Sequence, residues 1–138
     1  MAAVRTIFVY GTLKPSLAPA VVKSAVDTFQ PLGPATVRGV LYDLGRYPGV
    51  VLTPDDPANT VHGDLFALPE DAATLESVLR RLDRYEGYDP ARPESSAFVR
   101  TTTAALTPAG TETPALIYVY TRPVKVDQRI AAGRWEPV

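Results

Sequence analysis

The 138-residue chain contains no cysteine. Disulfides, thiol nucleophiles and zinc–thiolate sites are therefore excluded, and the composition fits a reducing cytoplasm, the expected location. A single histidine, His62, excludes a multi-histidine metal cluster. A serine/histidine/acid triad is excluded as well, because no serine lies in a nucleophile-elbow context. Surplus positive charge is also missing: 14 Lys and Arg stand against 15 Asp and Glu, for a net charge of −1. Neither nucleic acid nor anionic lipid is expected as a partner. No apolar run approaches the roughly 20 residues that span a bilayer. Residues 7–10 are too short a run for the core of a signal peptide.

Proline and glycine, by contrast, are abundant, with 14 and 9 residues. They punctuate the chain every few positions, which disfavours long helices and favours short strands. At 46% hydrophobic residues the chain carries enough apolar surface for an ordinary core. Its length fits a single domain over residues 1–138. Residues 4–10 run apolar rather than alternating, and read as a strand buried on both faces. Residues 18–29 show weak helical periodicity, after which Pro31 and Pro34 are expected to enforce a loop. Residues 37–44 and 61–68 share the pattern Val-x-Gly-x-Leu-aromatic-x-Leu. Glycine inside a strand marks a bend, a bulge or a close backbone approach, so two such strands point to a strongly coiled sheet or a small barrel. Residues 98–106 and 115–121 read as further strands; on the second, Leu116, Tyr118 and Tyr120 share one face and Ile117 and Val119 the other. Ile130 and Trp135 in the tail are expected to pack back on the body. The pattern is that of a mixed α+β protein.

Residues 69–85 form the clearest helix. Pro69 is expected in its first turn, where a missing N–H costs little. Glu70 and Asp71 lie at its start and Arg80, Arg81 and Arg84 near its end, as the helix dipole prefers. Leu75, Val78, Leu79 and Leu82 make the apolar stripe, and Gly87 is a natural stop. One step further along that stripe stands Glu86. If the helix reaches it, its carboxylate points inward. Burial then raises its pKa into the range useful for general acid/base work. If the helix frays at Arg84, Glu86 is a loop residue, and spacing alone favours that outcome because most carboxylates are surface groups. A second feature is the break after residues 7–10, at Tyr10-Gly11-Thr12-Leu13. It frees backbone N–H groups from a strand ladder and lets them face an anion. By itself this signal is weak, since a glycine after a strand is usually a turn residue. Tyr118 and Tyr120 are candidates to line a pocket. His62 reads as a structural or surface residue. Asp83 pairs with an arginine, caps backbone or lies on a solvated helix face, and Arg100 is either a surface residue or a brace for Glu86.

Taken in order, Tyr10-Gly11-Thr12-Leu13-Lys14-Pro15, Gly39-x-Leu41-Tyr42 with Tyr47-Pro48, Gly63-x-Leu65-Phe66 and Leu82-Asp83-x-Tyr85-Glu86-Gly87 resemble the gamma-glutamylcyclotransferase-like superfamily. That superfamily includes AIG2-like and gamma-glutamylamine cyclotransferase-like proteins, and the resemblance covers most of the chain. It implies a small mixed β-barrel with flanking helices. It also implies release of 5-oxoproline from a γ-glutamyl amine or γ-glutamyl amino acid. In such a protein the loop of Tyr10, Gly11, Thr12 and Leu13 holds the glutamyl end, Glu86 is the acid/base and Tyr118 lines the pocket. No cofactor is required, because the nucleophile is the substrate's own α-amino group. The sequence departs from the family pattern at Ser16, where glycine is frequent, and at Phe98, where many relatives carry tyrosine. Two other readings stand beside this one. One is a non-catalytic binding module for a small carboxylated metabolite. The other is a tailoring enzyme that removes a γ-glutamyl protecting group.

Overall fold

A computed structural model describes residues 4–11, 13 and 18–135. Its strands are β1 (Thr6–Val9), β2 (Gln30–Asp43), β3 (Pro48–Leu52), β4 (Thr60–Ala67), β5 (Phe98–Leu106) and β6 (Glu112–Tyr120). Helix α1 (Ala20–Val26) follows β1, and helix α2 (Ala72–Glu86) joins β4 to β5. Strands β2, β4, β1, β6 and β5 are hydrogen-bonded in that order, and Thr36 of β2 meets Leu106 of β5 to close the ring. Only the β1–β6 pair is parallel; the rest are antiparallel. The result is a five-stranded mixed barrel, with β3 added on β2 outside the ring. Both helices lie against it, an α+β architecture.

Alternation along β1 explains how the barrel is filled and covered. Phe8 and Tyr10 belong to an interior cluster with Val37, Leu41, Val61 and Ile117. Ile7 and Val9 belong to a second cluster, which holds Val22 and Val26 of α1 and Val78 and Leu82 of α2. A strand with core on both faces needs no polar alternation, which is why residues 7–10 form one apolar run, while Arg5 before them is exposed. On β6, Ala115, Ile117 and Val119 face the interior while Leu116, Tyr118 and Tyr120 face the helices, as period-2 geometry dictates. The tail returns as expected: Ile130 and Trp135 pack on the interior cluster, and Ile130 N–H bonds to the Leu41 carbonyl.

Two expectations fail. Pro31 and Pro34 do not make a loop; they lie inside the 14-residue strand β2, paired with β4 around an irregularity between Pro31 and Gly33. In that stretch β2 is paired on the β4 side only, so its other edge carries no ladder for a proline to interrupt. Pro69 does not enter helix α2. Asp71 is the N-cap, its side chain accepting the Thr74 N–H at 2.8 Å, so the helix begins at Ala72.

The strand glycines mark close approaches. A Cβ on Gly63 would lie 2.5 Å from the Val9 carbonyl oxygen and 2.7 Å from the Phe8 ring. Gly63→Ala therefore pushes β4 away from β1. The expected cost is about 1–3 kcal/mol of stability, read from urea unfolding midpoints; an unchanged midpoint would show that the two strands are not held this closely.

Candidate active site

Helix α2 ends in a way that decides where its last carboxylate goes. Gly87 adopts the left-handed conformation, φ 75°, that residues with a side chain rarely adopt. Its N–H bonds to the Arg84 carbonyl, and the Tyr88 N–H bonds to the Asp83 carbonyl at 2.8 Å. This pair of bonds is the Schellman stop. It keeps Glu86 helical, on the face that buries Leu82 completely. The stripe thus runs on to position 86.

Glu86 forms part of the wall of a cavity of about 220 Å³. The end of β1 and the turn after it supply Phe8, Val9, Tyr10, Gly11 and Leu13 to the same wall. Tyr118 of β6, Phe98 at the start of β5, and Tyr47 and Pro48 at the start of β3 complete it, together with Tyr85 and Ala97. The cavity lies where β1 ends beside its parallel neighbour β6. Gly11 packs so tightly that a Cβ there would lie 2.8 Å from the Pro48 ring, so backbone itself forms the wall.

Electrostatics follow from this placement. Burial pushes the Glu86 carboxyl up to about 7, and no cation or donor among the described residues pulls it back. Two tyrosines of the same wall are held in place. Tyr10 Oη donates to the Tyr118 carbonyl at 2.6 Å. Tyr118 Oη donates to Asp83 Oδ1 at 2.6 Å. Burial raises the pKa of both phenols, and the Asp83 acceptor raises that of Tyr118 further. Both therefore stay protonated near neutral pH. Burial also raises the Asp83 carboxyl, opposed by the Tyr118 hydrogen bond and by Arg100, whose Nη1 lies 3.4 Å from Oδ2.

A family model described as gamma-glutamyl cyclotransferase, AIG2-like, matches residues 7–137. The chain belongs to this family. Among solved structures, an AIG2-like protein from Mus musculus aligns with a TM-score of 0.68 at 18% identity, covering 98% of this chain and 90% of that one. YkqA from Bacillus subtilis aligns with a TM-score of 0.65 at 21% identity over 95% of this chain, which spans only 39% of YkqA. A gamma-glutamyl cyclotransferase aligns with a TM-score of 0.59 at 16% identity, covering 85% of this chain and 66% of that one. At these identities the likeness is one of fold. Comparison with curated proteins finds no match.

The structure brings Tyr10, Gly11, Leu13, Glu86 and Tyr118 to one cavity; Thr12 lies outside the described residues. Tyr10 presents its ring there, since its hydroxyl is committed to backbone. His62 is elsewhere: its N–H bonds to the Gly133 carbonyl, and it borders a separate surface cleft. Asp83 is not solvated but buried, and Arg100 pairs with it. Sequence reasoning missed Tyr47, Pro48, Tyr85, Ala97 and Phe98 as lining residues. Tyr47-Pro48 and Tyr85 stood inside the quoted motifs, a usable signal; nothing local marked Ala97. Among the described residues, no group of three His, Asp or Glu side chains is placed to hold a metal ion.

The raised Glu86 pKa has a sign that can be checked. Below the ordinary value of 4.5 the group is protonated whether folded or not, and its full stabilising share is present. As pH rises through about 7, the folded state must ionise a buried carboxyl and that share is lost. Wild type should therefore lose stability relative to Glu86→Gln between these values, by up to about 3 kcal/mol. Urea unfolding at pH 4 and pH 8 reads the difference; parallel curves would mean that Glu86 is solvated.

Proposed function

We propose that the protein is a cyclotransferase that releases 5-oxoproline from a γ-glutamyl amine or γ-glutamyl amino acid. The observation that carries this reading is the Glu86 carboxyl on the wall of a small cavity that the Gly11 turn also lines, where burial pushes its pKa up to about 7. In the reaction the substrate's α-nitrogen attacks its own γ-carbonyl carbon. A C–N bond closes the five-membered ring and the amide C–N bond to the leaving amine breaks. Protons lost by the α-ammonium end on the departing nitrogen. No enzyme nucleophile is needed, because attacking and attacked atoms are already in one molecule.

Glu86 is the group that moves those protons. As the carboxylate it takes one from the α-ammonium; as the acid it returns one to the leaving nitrogen. A pKa of about 7 leaves both forms accessible near neutral pH. The backbone N–H groups of Gly11 and Leu13 are the candidates to bind the α-carboxylate or the developing oxyanion. Tyr10, Tyr118 and Phe98 give the pocket its apolar walls. A module that only bound a carboxylated metabolite would gain nothing from a buried carboxylate facing its ligand, since like charges repel.

The test is 5-oxoproline release from a panel of γ-glutamyl amines and γ-glutamyl amino acids. Wild type is expected to turn over at least one, and Glu86→Gln to lose about 10²- to 10⁴-fold in kcat. The acidic limb of kcat/KM is expected near pH 7, with activity falling as Glu86 protonates. Equal release by both proteins would assign the proton transfer to another group.

A further inference from the structure

Two strands converge on Asp83, one turn before Glu86. Arg100 of β5 and Tyr118 of β6 stand directly opposite each other in the antiparallel ladder. Their side chains therefore leave the sheet on the same face, towards α2. Tyr118 Oη bonds to Asp83 Oδ1 at 2.6 Å, and Arg100 Nη1 lies 3.4 Å from Oδ2. Both oxygens of the carboxylate are held. The guanidinium also sits over the Tyr88 ring, 6.0 Å from its centroid. Tyr88 is the residue whose N–H closes the helix stop on the Asp83 carbonyl. Arg100 thus engages the residue three before Glu86 and the residue two after it, while standing outside the catalytic cavity.

Stability alone is a weak reason for this arrangement. The ion pair is longer than a hydrogen bond, and Arg100 Nη1 is buried without a hydrogen-bond acceptor among the described residues. An unsatisfied buried donor is destabilising, and a partly buried ion pair offsets its own desolvation poorly. The geometry is that of a brace. Glu86 is the last helical residue, and helix ends fray. Unwinding of the final turn would carry its carboxylate away from the cavity.

We infer that Arg100 is a positioning residue, which keeps the terminal turn of α2 wound by holding Asp83 and Tyr88 and so fixes Glu86 in the cavity. This rests on the reading of Glu86 as the proton carrier. Small misplacements of a reacting group are costly, about 100-fold for 1 Å. For Arg100→Ala the expected result is a fall in kcat of about 100-fold with KM within about threefold. Amide hydrogen exchange supplies a readout independent of activity. Exchange at Gly87 and Tyr88 is expected to accelerate at least about tenfold relative to Leu79 in the middle of the same helix. If Arg100→Ala does not fold, Arg100→Lys carries the test, because lysine keeps a cation for Asp83 but has no planar face for Tyr88. Unchanged kcat, unchanged exchange at Gly87 and Tyr88, or acceleration spread evenly along α2 would each overturn the inference. A wild type that releases no 5-oxoproline would instead refute the cyclotransferase reading, and the exchange data would still decide whether Arg100 braces the turn.

Discussion

The proposed chemistry at this site depends on the cost of ionising one carboxyl group away from water. Glu86 sits in an environment of tyrosine, phenylalanine and proline side chains, and no described cation offsets its burial. Desolvation alone moves it to about 7. A shift with one cause is sensitive to geometry. Had α2 stopped at Arg84, the same residue would face solvent as an ordinary surface carboxylate. Gly87 and the Asp83 clamp are thus as consequential for the site as Glu86 itself.

The barrel supplies the rest by making its wall rigid. Tyr10 Oη donates to the Tyr118 carbonyl of β6, while Tyr118 Oη reaches across to Asp83 of α2. Two phenols therefore link the end of β1, β6 and α2 around one cavity. Buried hydroxyls with satisfied partners specify a single arrangement, and a site built on strands and a helix holds its geometry better than one built on loops. Backbone at Gly11, pressed against Pro48, completes a surface that no side chain larger than hydrogen would leave open.

Much of this was legible in the chain. The repeated glycine-containing strand pattern pointed to a coiled sheet, because glycine is what lets Val9 and Phe8 approach Gly63. The stripe of Leu75, Leu79 and Leu82 offered Glu86 the inner face, but spacing alone favoured a loop residue, and the helix stop at Gly87 is what decides it. What escaped reading depends on tertiary partners. Pro31 and Pro34 look like loop residues until β2 is seen to be paired there on the β4 side only. Asp83 stands open between an arginine partner, a backbone cap and a solvated face until β5 and β6 are folded against it with Arg100 and Tyr118 in register. Ala97 carries no local mark of the cavity it lines.

The most direct measurement is a carbon-detected NMR titration of the Glu86 side-chain carboxyl in the folded protein. A midpoint near pH 7 is expected. A midpoint near the ordinary value of 4.5 would show a solvated carboxylate, and with it no desolvated base at the heart of the site.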